Sequence, residues 1–193
     1  MRNIFLFILL LITSTHSFST EKTMSDTQTK VKLTTTLGEI IIQLNTEKAP
    51  ISSANFLTYV NEGFYNGTIF HRIIPDFMAQ GGGFDTSFNQ KPVHASIKNE
   101  ANNGLTNTRG TLAMARTNDP NSATAQFFIN YKDNSFLNHT SQTASGWGYA
   151  VFGEVIEGMD VVDAMSTQAT SNRGGHQDVP KTDIIIEKAE LIK

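Results

Sequence analysis

The 193-residue chain carries 15 Lys+Arg against 18 Asp+Glu, a formal net charge of -3, with 39% hydrophobic and 17% charged residues. That profile fits one soluble domain with a proper core and lacks the basic footprint that nucleic acid or an anionic membrane surface requires. Cysteine is absent, which excludes disulfides, thiol catalysis and cysteine-based metal sites.

Met1-Arg2-Asn3 is a short positive start, Ile4 to Ile12 is an unbroken apolar run, and Thr13 to Thr20 is small and polar, with Ser17 and Ser19 at the −3 and −1 positions of a cleavage site. This layout predicts a secretory signal peptide over residues 1–19 and an exported mature protein, periplasmic or secreted. Nine apolar residues fall short of the roughly 20 that span a bilayer, so no stable membrane span is expected. Residues 20–29 are polar, lack periodicity and read as a flexible tail, leaving 30–193 as the one folded domain.

Val31, Leu33 and Thr35 alternate with polar neighbours, predicting a strand over Lys30 to Leu37 that Gly38-Glu39 turns into a second strand, Ile40 to Leu44. Ala49-Pro50 opens a helix with an apolar stripe of Ala54, Leu57, Tyr59 and Val60, ended by Gly63. After the Asn66-Gly67 turn, Ile69, His71 and Ile73 alternate with Phe70, Arg72 and Ile74 in a third strand. Pro75-Asp76 reverses the chain, and Phe77, Met78 and Gln80 lead into Gly81-Gly82-Gly83.

From Phe84 to Gly110 apolar residues thin out, predicting a long surface loop of a length that is usually functional. Thr111 to Arg116 and Gln126 to Tyr131 read as strands flanking the turn Asn118 to Ser122, and Phe136-Leu137 as a short turn or helical piece. Tyr149 to Val155 is a further strand, and Gly158 to Met165 carries Met159, Val162 and Met165 at helical spacing. Ile184 to Leu191 is a last strand with Ile184, Ile186 and Leu191 inward. So many short strands, with one helix near each end, suggest a mainly β chain folded as a closed antiparallel barrel.

Much catalytic chemistry is missing. The glycine run has no following Lys-Ser/Thr, so it is no phosphate loop. His71, His94, His139 and His176 are widely spaced, no metal site is expected, and no serine sits in a nucleophile elbow. His71 reads as a packed, hydrogen-bonded core histidine, and Phe70, Ile73, Ile74 and Phe127 as barrel filling. What stands out is Arg72, Phe77, Met78 and Gln80, within nine residues on two adjacent strands. One fixed cation, one amide and two large apolar groups on one surface suit a neutral peptide better than a phosphate or a metal.

With a second constellation downstream, the chain resembles the cyclophilin family of peptidyl-prolyl cis–trans isomerases, in its single-domain bacterial branch. The resemblance is carried by Phe70-His71-Arg72-Ile73-Ile74, Phe77-Met78-x-Gln80-Gly81-Gly82, Gly110 to Ala115, Ala125-Gln126-Phe127-Phe128-Ile129 and Val151-Phe152-Gly153. Asn99-Glu100 and Gly158-Met159-Asp160-Val161-Val162 also fit, and the similarity spans Lys30 to Lys193. It implies an eight-stranded barrel with two capping α-helices, no cofactor, monomeric behaviour and proline-containing polypeptides as partners.

An X-Pro bond favours trans by only about 0.5–1 kcal/mol, yet rotation crosses about 18–20 kcal/mol because twisting destroys amide resonance. A catalyst needs an apolar floor for the ring, a donor near the imide nitrogen and a grip on the carbonyl side, so that the twisted form binds best. The resemblance assigns Arg72 as that donor, with Gln80 and Phe77 as its catalytic companions. Phe77, Met78, Phe128 and Leu137 floor the pocket, Gln80 and Gln126 hold substrate backbone, the Arg116 main chain pairs with the peptide, and Ala115 lets it approach.

Departures from many eukaryotic members are Phe136 for a rim tryptophan, Tyr149 for a rim histidine, and Arg116 for an asparagine. Phe136 keeps an aromatic wall without an indole N–H, which implies weak binding of a cyclosporin-type ligand. Trp147, in the Gly146-Trp147-Gly148 turn, reads as structural. Two rivals remain. A non-catalytic peptide holdase would not require Arg72 with Gln80. A barrel enclosing a small apolar ligand would need an interior emptier than Phe70, Phe127, Phe128 and Phe152 suggest.

Overall fold

The computed structural model describes residues 29–192. The expected signal peptide and all but the last residue of the predicted tail lie outside the described residues.

Alternation in the first two strands buries one face and wets the other. Val31, Leu33 and Thr35 of β1 (Lys30–Thr35) are buried, as are Ile40, Ile42 and Leu44 of β2 (Gly38–Leu44), with Leu33 opposite Ile40. The remaining barrel strands are β3 (Thr68–Ile74), β4 (Met78–Asp85), β5 (Thr111–Met114), β6 (Phe127–Asn130), β7 (Val151–Glu157) and β10 (Ile185–Ile192). They close antiparallel in the order β1-β10-β3-β4-β6-β5-β7-β2, so the expected eight-stranded barrel is the observed one. Its interior is filled rather than hollow. Phe127 takes edge contacts from Phe56, Tyr65 and Phe70 at centroid distances of 5.4, 5.5 and 5.9 Å, and the Tyr65 hydroxyl donates to the Ala125 carbonyl at 2.8 Å.

Helix α1 (Pro50–Asn61) buries Phe56, Tyr59 and Val60 in this core, and α2 (Met159–Ser166) adds Val162 and Met165. The α1 stripe is rotated from the sequence expectation: Ala54 is exposed, and Ser52 and Ser53 are buried in its place. Ala49 has no side chain able to cap the helix, so the cap comes from far along the chain. Glu100 accepts the Ile51 N–H at 3.0 Å through Oε1, and the Ser52 N–H and hydroxyl, each at 2.7 Å, through Oε2. A carboxylate there satisfies otherwise orphaned donors and lies at the positive end of the helix dipole. It also pins the long loop between β4 and β5 onto α1.

Three sequence expectations are corrected. Leu191 is not inward: it is 53% exposed, and Ile184, Ile186 and Ala189 carry the buried side of that segment. Ile74 does not fill the barrel but packs on its outer surface. Thr170–Arg173 (β8) and His176–Pro180 (β9) form an unforeseen two-stranded sheet, and β9 packs against β3. Among the described residues no helix is long and apolar enough to cross a membrane.

Candidate active site

The site is positioned by an irregularity in β3. The β3–β4 register shifts between Phe70, which pairs with Gly81, and Arg72, which pairs with Gln80. In a regular strand residues two apart share a face; here the His71 bulge turns Phe70 into the core and Arg72 outward. His71 itself is 3% exposed, lodged against Phe84 at 4.7 Å and beside His176 at 6.3 Å, in an aromatic cluster apart from the barrel core. Its Nδ1 has no partner, so it is buried as expected but not fully hydrogen-bonded. Burial, with the positive charges of His176 and Arg72 adding to it, lowers the His71 pKa to about 4.

From Arg72 the register runs straight across the wall. Arg72 opposes Gln80, Gln80 opposes Phe128, Phe128 opposes Ala113 and Ala113 opposes Val151. These five side chains form one row on the outer face. Beside it, Ile74 opposes Met78 and Met78 opposes Asn130. Met78, Phe128, Leu137, Ala113 and Val151 bury one another in a second apolar cluster, ringed by Ile74, Phe77, Leu105, Ala115 and Tyr149. Phe128 therefore belongs to this patch and not to the interior, where the sequence reading counts it against a ligand-carrying barrel; Phe70, Phe127 and Phe152 fill that interior without it.

Each rim residue is held locally. The turn after β3 has Asp76 at φ 57° and returns the Phe77 N–H to the Ile74 carbonyl at 3.1 Å. Phe77 stacks on Phe136 at 5.6 Å, and Phe136 rides on the 3₁₀ turn Ser135–Leu137, 72% exposed. Gln80 donates from Nε2 to Oε1 of Gln126 at 2.9 Å. Gln126 lies flat on Gly83, where a Cβ would come within 2.6 Å of its amide. Tyr149 meets the edge of Phe128 at 5.7 Å, and its N–H donates to the Leu137 carbonyl. Gly148 makes that approach possible, since a Cβ there would strike the Asn138 and His139 backbone at 2.6 Å. Arg116 folds onto the Tyr149 ring at 4.5 Å and donates to the Gly148 and Thr117 carbonyls, so its side chain braces the rim. Among the described residues Arg72 is left with Asp178 alone, Nε to Oδ2 at 4.0 Å.

Beneath the rim lies a buried asparagine network that the sequence reading missed. Asn134 donates to the Phe77 carbonyl at 3.0 Å and to Asn130 Oδ1 at 2.8 Å. Asn130 donates to Asn107 Oδ1 and to Thr111, and Asn107 donates to Asn138 Oδ1 and the Tyr149 carbonyl. Asn130, Asn134 and Asn138 recur every fourth residue, a spacing that would have drawn notice had the segment been a helix. Ala113 was also missed, although its alternation with Ala115 placed both on one face. Asp178 had no local signal, because its partner lies far back in the chain.

Taken together, the predicted residues Arg72, Phe77, Met78, Gln80, Ala115, Gln126, Phe128, Phe136, Leu137 and Tyr149 gather on one outer surface. A polar concavity of about 390 Å³, lined by Gln43, Asn45, Glu47, Thr108, Thr111 and Glu154 among others, contains none of them. Its polar walls offer no floor for a pyrrolidine ring, whereas the Met78/Phe128 patch does.

Comparisons with known proteins give the family and the fold. The family profile "Cyclophilin type peptidyl-prolyl cis-trans isomerase/CLD" matches residues 30–191. The chain is 60% identical to peptidyl-prolyl cis-trans isomerase B of Escherichia coli over 154 residues, covering 80% of this chain and 94% of that one. It is 59% identical over 162 residues to peptidyl-prolyl cis-trans isomerase cyp18 of Streptomyces antibioticus, covering 84% and 98%. A crystal structure of a Cryptosporidium parvum cyclophilin matches with a TM-score of 0.70 at 26% identity, over 86% of this chain and 98% of that one. The same cyclophilin crystallised in the presence of the dipeptide Ala-Pro matches with a TM-score of 0.69 at 27% identity, over 85% and 99%.

Proposed function

The chain belongs to the cyclophilin-type peptidyl-prolyl cis–trans isomerases, and from that premise we propose that it rotates X-Pro bonds on the outer wall formed by β3, β4, β6 and β5. The carrying observation is the row Arg72–Gln80–Phe128, which sets a permanent cation, an amide and an apolar floor side by side. The proline ring rests on Phe128, Met78 and Leu137, with Phe77 and Phe136 along one edge and Tyr149 along the other. Gln80 and Gln126, already joined to each other, offer their remaining donors and acceptors to the substrate backbone. The peptide passes over Ala115 and pairs with the Arg116 main chain, where β5 has ended and the edge is open.

When the amide twists, the imide nitrogen regains a lone pair and becomes an acceptor. The Arg72 guanidinium, charged at every working pH, donates to it only in that state, so the interaction is differential and accelerates rotation. Each 1.36 kcal/mol of such preference gives about tenfold in rate. Exchange spectroscopy by NMR on a panel of X-Pro peptides tests the assignment. Phe128→Ala is expected to weaken peptide binding, and unchanged binding would remove the apolar patch from the site.

Three further readings accompany this one. Export rests on the residue 1–19 pattern, and the mass of the processed chain is expected to begin at Thr20. A monomer is expected because, apart from Phe136 at the site, the exposed large apolar residues among the described ones, Leu37, Ile51, Val93, Ile156 and Leu191, are spread over separate elements; sedimentation tests it. A cyclosporin-type ligand binds weakly, since Phe136 lacks an indole donor, and Phe136→Trp is expected to tighten it.

A further inference from the structure

We propose that Asp178, on the hairpin of β8 and β9, is a positioning residue for Arg72; the inference rests on Arg72 being the donor of the site. The hairpin stands outside the barrel and lays β9 against β3. It is anchored at its tip. His176 packs edge-on against Phe84 at 5.2 Å and Phe88 at 5.4 Å. Arg173 stacks over Phe88 at 4.9 Å while donating to Asp183 at 2.7 Å and to the Thr86 carbonyl at 2.6 Å. An arm fixed in this way brings the residue two beyond His176 to the catalytic strand.

That residue is Asp178, and it is strained. Its φ is +59°, the left-handed region that non-glycine residues avoid and that Asp and Asn tolerate best. The carboxylate makes no hydrogen bond within the protein among the described residues, and its one charged neighbour is Arg72 Nε at 4.0 Å. Stability gives little reason for the arrangement, because both side chains are 41% exposed and exposed ion pairs contribute little. Strain is instead placed where it serves the site.

The geometry gives the pair a use. A free arginine samples many rotamers, and a donor must be in place when the amide twists. At 4.0 Å the contact is a charge attraction without a hydrogen bond, and it draws the Nε side of the planar guanidinium towards the hairpin. The terminal Nη groups keep no internal partner among the described residues and stay available to the imide nitrogen. The hairpin thus pre-organises the donor from behind while touching no part of the substrate.

The test uses the full mature chain and an uncharged, blocked tetrapeptide containing Ala-Pro. Asp178→Asn keeps a residue suited to the left-handed region and removes the charge; Asp178→Gly removes strain and carboxylate together. Both are expected to slow exchange of bound peptide about two- to fivefold, the size an exposed ion pair can supply. Peptide Kd is expected to hold in both, and Tm to hold in Asp178→Asn. Raising the salt concentration is expected to bring the parent rate down towards that of Asp178→Asn, whose own rate stays flat. Placed on Arg72→Ala, Asp178→Asn is expected to add nothing. A parent-like rate in Asp178→Asn, with Arg72→Ala slow, overturns the positioning role and leaves the site intact. Slowing that survives in the Arg72→Ala background, or that comes with a lowered Tm and no salt response, makes Asp178 structural and also overturns it. A parent-like rate in Arg72→Ala overturns the site itself.

Discussion

Phe70 and Arg72 lie two residues apart on β3 and face opposite sides of the barrel wall, because His71 is bulged between them. One side of the strand thereby serves the core and the other the chemistry. The cost is a histidine held where it resists protonation.

Stability should accordingly depend on pH through His71. Its folded pKa of about 4 lies below the usual 6.5, so between those values the unfolded chain takes up a proton that the folded chain refuses. The contribution is complete above pH 6.5 and is lost as pH falls towards 4, to a limit of roughly 3 kcal/mol. Urea unfolding from pH 7 to 5 should show declining stability, and His71→Leu should flatten that decline.

Gly83 is predicted to control Gln126. A methyl at position 83 collides with the Gln126 side chain, which can swing aside, and with no backbone atom among its nearest neighbours. Gly83→Ala should cost about 1 kcal/mol or less in stability. It should break the Gln80–Gln126 bond and weaken peptide binding several-fold in an NMR titration.

Asn134 is predicted to carry more weight than its neutral chemistry suggests. It is fully buried and spans the Phe77 carbonyl and Asn130. Asn134→Ala leaves Asn130 Oδ1 without a donor, while the Phe77 carbonyl keeps the Tyr131 N–H at 3.0 Å, and should cost about 1–3 kcal/mol, read from chemical denaturation. Activity should fall further than stability alone explains, because the Phe77 turn loses one of its two donors and keeps only the Tyr131 N–H.

Glu100 should act on stability and spare catalysis. Glu100→Ala strips the cap from α1 and should cost about 1–2 kcal/mol. The isomerisation rate at 25 °C should stay at the parent value.

How much of this was legible in the sequence divides along physical lines. Period-two alternation located the barrel strands, as at Val31/Leu33 and Ile40/Ile42, because half-buried strands obey it. It grouped Phe70 with Arg72 and Ile74, and the bulge at His71 reverses the face between Phe70 and the other two; Ile74 reads as barrel filling on its apolar character, against the alternation. It missed β8 and β9 because Thr170–Arg173 and His176–Pro180 are largely polar and have no apolar face to announce them. The α1 stripe was mistaken because Ser52 and Ser53 are buried by tertiary bonds to Glu100 and the Asn45 carbonyl. The pocket residues were found through the family resemblance; the residues alone put Phe128 with Phe127 in the interior, although neighbours on a strand face opposite sides. The asparagine network and Asp178 depend on partners remote in sequence.

The central claim is that Arg72 binds the half-rotated amide better than either planar form. Its most direct test is the exchange rate of a saturating X-Pro peptide on Arg72→Ala, measured by NMR beside the peptide Kd and the Tm of the variant. The account predicts a rate lower by about 10²–10³, as for loss of one oriented donor to a transition state, with Kd changed little and Tm held. A bound peptide that rotates as fast on Arg72→Ala as on the parent would contradict it.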